Sequence, residues 1–342
     1  MKKVLVAGGA GYIGAVMCDK LLKDGYEVVC LDRFYFGKEP IEPLLGHPQF
    51  SIIRDDIRTV TSDVFKGVDI AIDLAGLSND PSCDLDPNLT EDINHFGSVH
   101  FAKVAKSAGV ARYVYASSCS VYGAGKNVSL TEDAPFNPIS LYAKSKVACE
   151  IEIGEMSSDD FCVTFLRNAT VYGLSPRMRF DLIVNIMTAK AVTQGKIYVL
   201  GGGKQWRPNI HVKDVVKAFM LVMEADKDKV NGEAFNLGAN EQNYQVIQVA
   251  NMIREVVPYV EVVVVPDDVD KRNYNVNCDK ITNVLGFKVE RTILEGAVEV
   301  KQAIEQAVTD IDDIRTTTLN YYKYLINADE ILNEVKIDGK IF

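Results

Sequence analysis

The chain lacks the features that would place it in a membrane, in an oxidising compartment or on nucleic acid. No apolar run approaches the roughly 18 residues that span a bilayer. The longest candidate, Val260 to Val265, carries Glu261 and is bracketed by Pro258 and Pro266. The opening Met-Lys-Lys-Val-Leu-Val-Ala-Gly-Gly turns into a glycine loop before a signal-peptide apolar region develops, so a cytoplasmic location is expected. Cys18, Cys30, Cys83, Cys119, Cys149, Cys162 and Cys278 form an odd set without a Cys-x-x-Cys pair, which reads as reduced thiols. Four dispersed histidines offer no zinc spacing, so no metal is expected. Lys+Arg total 37 against 47 Asp+Glu, and the formal charge of −10 excludes a broad basic footprint for nucleic acid. There is no internal repeat and no low-complexity tether.

What remains is an ordinary globular composition, 47% hydrophobic and 25% charged over 342 residues. The first half alternates two periods. Continuous apolar strands are expected at Lys3–Ala7, Glu27–Leu31, Phe50–Arg54, Asp69–Leu74, Arg112–Ala116 and Phe161–Leu166. Helical spacing falls between them, at Gly11–Lys23, about Leu89–Ser107 and about Ser140–Glu155. Buried strands alternating with amphipathic helices predict an α/β fold with a doubly wound parallel sheet. After Gly173 the pattern loosens. A helix is expected near Phe180–Gln194, a strand at Ile197–Leu200, a helix at His211–Ala225 and a strand at Glu233–Leu237 that returns to the main sheet. The remaining segments predict a smaller, interleaved C-terminal lobe. The division is residues 1–173 with about 208–240, against about 174–207 with 241–342.

Gly8, Gly11 and Gly14 follow the first strand and open the first helix. The first permits a tight turn, the second lets backbone approach a pyrophosphate, and the third lets helix pack on strand. Free N–H groups at the helix start then face the phosphates. Asp32 ends the second strand 18 residues past Gly14, placed to accept both ribose hydroxyls and to repel a 2′-phosphate. NAD is therefore favoured over NADP, although Arg33 is a guanidinium able to pair with such a phosphate.

Tyr142 and Lys146 stand four residues apart on a helix, hence on one face. A neighbouring ammonium stabilises a phenolate and makes Tyr142 a general base towards an alcohol. A second such pair, Tyr122 and Lys126, is interrupted by Gly123 and Gly125 and is not expected to be helical. Ser117 to Gly123 leaves a core strand at its carboxyl end, where doubly wound sheets bind ligands.

Taken together these residues resemble the extended short-chain dehydrogenase/reductase superfamily, specifically its NAD-dependent epimerase/dehydratase family with its Rossmann sheet. The similarity also runs through Asp55-Asp56-Ile57-Arg58, Leu74-Ala75-Gly76, Asn94-His-Phe-Gly, Arg167 to Gly173, Trp206-Arg207 to Asp214, and Asp270-Lys-Arg272-Asn-Tyr274. The resemblance implies a catalytic set of Ser118, Tyr142 and Lys146. Cofactor contacts are implied at Gly8, Gly11, Tyr12, Ile13, Gly14, Asp32, Arg33, Asp56, Ile57, Leu74, Ala75, Gly76, Asn94 and Ser117, with Tyr142 and Lys146. Arg207 and Arg272 match the pair that clamps a nucleotide diphosphate. Ser175–Asn185 looks like the branch of nucleotide-sugar C4-oxidising enzymes and epimerases. Because Arg167-Asn168-Ala169-Thr170 replaces the family's usual Arg-Tyr-Phe-Asn, Asn185 or Asp181 is the expected substitute for the missing substrate-contacting asparagine. A homodimer through the helices near 89–107 and 140–155 is implied as well.

Family 4,6-dehydratases carry an Asp-Glu pair after the catalytic Ser/Thr, whereas this chain has Cys119-Ser120. Dehydration is therefore not expected. The reading that follows is chemistry at C4 of a nucleotide-diphosphate sugar through a 4-keto intermediate, first as a 4-epimerase. A C4-dehydrogenase or 4-keto reductase would use the same residues. A non-catalytic NAD-sensing protein is the alternative from another class, disfavoured because both Tyr142 and Lys146 are present.

Overall fold

The structure is a computed structural model that describes residues 1–124, 129–266 and 273–341. Its centre is a seven-stranded sheet. Strands β1 (Lys3–Ala7), β2 (Glu27–Asp32), β3 (Phe50–Arg54), β4 (Ile70–Asp73), β5 (Arg112–Ser118) and β6 (Cys162–Asn168) lie within it. β7 (Thr170–Tyr172), β8 (Lys196–Val199) and β9 (Trp206–His211) lie outside it, and β10 (Glu233–Leu237) returns to its edge. The order is β10-β6-β5-β4-β1-β2-β3, and every pairing is parallel. The order reverses between β1 and β4, which opens a crevice beyond their carboxyl ends.

Successive residues of each central strand serve opposite faces, as a pleated strand requires. Val4, Val6, Val28 and Cys30 pack into one core layer, while Leu5, Ala7, Val29 and Leu31 pack into the other. Helix α1 (Tyr12–Lys23) covers the first layer together with α5 (Val212–Glu224). Helices α2 (Ser98–Ser107) and α3 (Leu141–Gly154) lie over the second. The expected helix at 89–107 begins earlier and is interrupted. Asp86 accepts hydrogen bonds from the Asn88 and Leu89 amides, so a first turn starts at Pro87, and a wider π-type turn at Asp92–Gly97 leads into α2.

The smaller layer is built from α4 (Ile183–Gln194), α6 (Val246–Val256) and α7 (Ile293–Glu305) around a separate apolar cluster that includes Tyr172, Val184, Val199 and Val249. Strand β11 (Asn243–Gln245) runs antiparallel to β9, and β12 (Glu261–Val264) runs parallel to β8. The last helix, α8 (Thr318–Val335), packs towards the first half of the chain: Tyr322 meets Tyr35 edge-on with centroids 6.3 Å apart and lies 5.5 Å from the Phe36 ring. All seven cysteines are free and buried, and no helix among the described residues is long and apolar enough to cross a membrane.

Candidate active site

A cleft of about 920 Å³ lies over the carboxyl ends of the central strands, lined by Gly8, Asp32, Leu74, Ser118 and Asn168 among others. Its floor is the glycine loop. Gly8 has φ +74, and the Gly11 amide donates to the Gly8 carbonyl at 3.0 Å. A Cβ on Gly14 would stand 2.1 Å from the Gly8 oxygen, so only glycine lets the helix approach the strand this closely. Tyr12 is buried and Ile13 half-buried at the first turn of α1.

At the next strand end, the Asp32 carboxylate accepts from the Ala10 amide at 3.0 Å and the Phe34 amide at 2.7 Å. Burial pushes its pKa above the usual carboxylate range. Arg33 turns away from Asp32. Its guanidinium donates to Asp56 at 2.6 Å and sits 4.7 Å over the Tyr35 ring. Burial alone would raise the Asp56 pKa, but hydrogen bonds from Arg58 and Arg33 hold it near 2. Asp56 and Ile57 line the cleft beside Leu74, Ala75 and Gly76, the last with φ +143.

The third wall comes from β5 and α3. The Ser140 side chain caps α3 by accepting from the Ala143 amide at 3.2 Å, which sets the register that aims Tyr142 and Lys146 at the cleft. The Lys146 ammonium is buried and donates to the Ala116 carbonyl at 2.7 Å and the Tyr115 hydroxyl at 3.1 Å. Its nitrogen lies 5.7 Å from the Tyr142 ring centroid. Burial lowers the lysine's pKa, opposed by Cys149 and Asp73. Tyr142 lines the cleft beside it. Its phenol is pushed up by burial, with Cys83 and Asp80 adding to the rise and the Ser118 side chain opposing it.

Several expected contacts sit elsewhere. Asn94 is buried behind the Leu74–Leu77 turn, taking a hydrogen bond from the Leu77 amide at 2.7 Å and giving one to its carbonyl at 2.9 Å. It shapes the cleft wall without lining it. Asn185 is fully buried and does not line the cleft. Its oxygen accepts from the Gly173 amide, and its nitrogen donates to the Tyr12 hydroxyl and the Arg179 carbonyl. Saturated in this way, it is a structural bridge and leaves the substrate set. Ser117 reaches the cleft, but its hydroxyl donates to buried Glu150, which also binds Arg167 through Oε2 at 2.7 Å. Arg207 is buried, lines the cleft, and has its guanidinium carbon 5.7 Å from the Tyr274 ring centroid. Arg272 and Lys126 lie outside the described residues.

Asp181, the other expected substitute for the missing asparagine, lines the cleft, together with residues that carried no sequence signal of their own. Arg177, Arg179 and Asp181 fall in the Ser175–Asn185 stretch, where two arginines spaced by one residue were the available hint. Arg179 holds Asp181 at 2.9 Å and donates to Ser78. The Asn79 amide also reaches Asp181, at 2.7 Å. Tyr35, Phe36 and Tyr322 complete the wall from opposite ends of the chain. Only the fold brings them together.

Comparison with known proteins agrees with this geometry. A family model described as NAD dependent epimerase/dehydratase family matches residues 4–238. UDP-glucuronic acid decarboxylase 1 of Xenopus tropicalis is 29% identical over 263 residues, 75% of this chain and 60% of that protein, so the chain spans less than two thirds of that relative. UDP-glucose 4-epimerase of Mycolicibacterium smegmatis is 33% identical over 69% of this chain and 77% of its own length. Among solved structures, MoeE5 in complex with UDP-glucuronic acid and NAD superposes with a TM-score of 0.78 at 27% identity, covering 89% of this chain and 99% of that one.

Proposed function

The chain belongs to the NAD-dependent epimerase/dehydratase family, and from that premise we propose that it works at C4 of a nucleotide-diphosphate sugar as a 4-epimerase using NAD. The observation that carries this reading is the convergence of Ser118, Tyr142 and Lys146 on the cleft that the glycine loop and Asp32 also line.

The residues present fit a dinucleotide. A Cβ on Gly14 would collide with the cradle's own backbone, the first-turn amides of α1 face the crevice where pyrophosphate is favoured, and Asp32 stands at the ribose end. Arg33 is held by Asp56, which supports NAD over NADP. When bound, the dinucleotide supplies the hydride acceptor and donor that no side chain offers.

The protein's part is acid–base work. Tyr142 takes the proton of the C4 hydroxyl as base and returns it as acid. Ser118, which lines the cleft with that phenol, donates to the same substrate oxygen. The buried Lys146 charge stabilises the phenolate. Inversion follows when the keto sugar presents its other face before reduction. Water elimination would need an acid and a base next to Ser118. The Cys119 thiol instead donates to the Arg167 carbonyl at 3.0 Å and is pushed up by burial, and Ser120 carries only a hydroxyl. This supports a chemistry other than 4,6-dehydration. A homodimer through α2 and α3 is in keeping with the exposed Phe96 and Ile151 on that side of the molecule.

The test is to incubate purified protein with UDP- and GDP-sugars without added cofactor and follow the C4 proton by NMR. Inverted sugar supports the reading. Absolute dependence on stoichiometric external NAD(P)(H) overturns the epimerase assignment in favour of net oxidation or reduction, and a 4-keto-6-deoxy product overturns the exclusion of dehydration.

A further inference from the structure

Arg177 has no role in the proton chemistry, yet it is built into the cleft with care. The loop that carries it is tied to the glycine loop. The Ser175 hydroxyl donates to the Tyr12 carbonyl at 2.6 Å, and the Tyr12 hydroxyl donates to the Gly173 carbonyl at 2.6 Å. The Arg177 side chain is 6% exposed, and its guanidinium carbon lies 3.7 Å from the centroid of the Phe36 ring. One terminal nitrogen donates to the Thr318 hydroxyl at 3.1 Å, the first residue of α8.

Among the described residues no carboxylate forms an ion pair with this guanidinium, and its Nε and Nη1 make no hydrogen bond. That sets it apart from Arg167, which is closed by Glu150, and from Arg179, which is closed by Asp181. Burial, with Arg179 nearby, draws its pKa down to about 10, so it still carries its charge at neutral pH. Asp181 and Asp32 favour the charge from a distance, but neither is in direct contact with it; a buried cation without a directly paired carboxylate is costly, and a planar fork with spare N–H groups suits a phosphate. The residue lines the same cleft as Gly11 and Asp32, at the end of α1 where anions are favoured.

We infer that Arg177 binds a phosphate oxygen of the dinucleotide's pyrophosphate, held in place by Phe36 stacking and by Thr318 at the start of the C-terminal helix. This rests on the reading of the cleft as a dinucleotide site. The 3₁₀ turn before α8 is itself fastened over that end. The Phe180 amide donates to the Thr316 carbonyl at 2.8 Å, and Arg315 pairs with Glu39 at 2.7 Å. The strap therefore orients the guanidinium from one side while the ring supports it from the other.

The experiment is calorimetric binding of NAD, NADP, ADP, adenosine and UDP to wild type, Arg177→Met, Arg177→Lys and Thr318→Val. Losing a charge-assisted bond to phosphate is expected to weaken NAD and ADP roughly ten- to hundredfold in Arg177→Met. Adenosine and UDP should bind as before, which also shows that the variant is folded. Arg177→Lys should recover part of the loss, and Thr318→Val should show a smaller one. Equal loss of adenosine overturns the inference and makes Arg177 a shaping residue. Loss confined to UDP moves it to the substrate diphosphate, and loss confined to NADP moves it to a 2′-phosphate. Unchanged NAD and ADP binding overturns it outright. Wild-type protein that binds no adenine nucleotide overturns the dinucleotide reading itself, and this inference with it.

Discussion

The Tyr12 hydroxyl donates to the Gly173 carbonyl at 2.6 Å, joining the first turn of α1 to the residue that follows β7. Asn185 completes the contact by donating to the same hydroxyl at 3.1 Å. Both partners are buried, so Tyr12→Phe leaves a carbonyl and an amide without their bond. A loss of about 1–3 kcal/mol is expected, read as a lower urea midpoint. Because the Arg177 loop hangs from this contact, adenine-nucleotide affinity should fall in the same variant.

Tyr142→Phe should abolish turnover and leave cofactor binding within about twofold of wild type, because the ring keeps its packing and loses only the acid–base group. The pH dependence follows from sign. A base must be unprotonated, and burial raises the phenol's pKa in the free enzyme. The plot of log kcat/KM should therefore climb from neutral towards alkaline pH. Lys146→Met removes the buried cation and should push that limb further up. A limb that moves down in Lys146→Met contradicts the role given to the ammonium.

Asp56 gives the cleft wall an acid-sensitive contribution to stability. Its folded pKa is depressed from 3.8 to about 2, so its contribution is present in full above the unfolded value and is lost as pH falls through 2. With its side chain 16% exposed, that contribution is about 1–2 kcal/mol at neutral pH. Asp56→Asn should lower the urea midpoint at pH 7. The gap to wild type should close on approaching pH 2, measured by fluorescence-monitored unfolding at each pH.

The parts of this site that were legible in the chain are those governed by local rules. The spacing of Gly8, Gly11 and Gly14, the carboxylate of Asp32 and the helical interval from Tyr142 to Lys146 each follow from geometry that a few residues fix by themselves. The seven-stranded parallel sheet was legible for the same reason, since its strands are apolar runs bounded by turns. Asn185 was misread because its amide looked available in one dimension, whereas folding brings Tyr12, Gly173 and Arg179 around it. Arg177, Phe36, Thr318 and Tyr322 meet across nearly the whole chain, and no periodicity encodes a contact of that range. The raised Tyr142 pKa was also beyond reach, because it depends on how far the cleft excludes water rather than on which cation is four residues away.

Glu150 is a buried counter-charge that meets Ser117 of β5 and Arg167 of β6. Arg167 reaches it through Nε at 3.1 Å and through Nη2 at 2.7 Å, Ser117 donates to it, and Arg167 passes on to the Tyr122 hydroxyl at 2.7 Å. Removing one partner of such a pair strands the other in a low-dielectric interior. Glu150→Gln is therefore expected to cost about 3–5 kcal/mol, visible as a large drop in Tm. Replacing both members, Glu150→Leu with Arg167→Met, removes the stranded charge and should be milder than Glu150→Gln alone. If the double variant is instead the less stable of the two, the pair is net stabilising beyond its desolvation cost. The Tyr122 and Glu132 contacts of Arg167 would then be the ones that make it so.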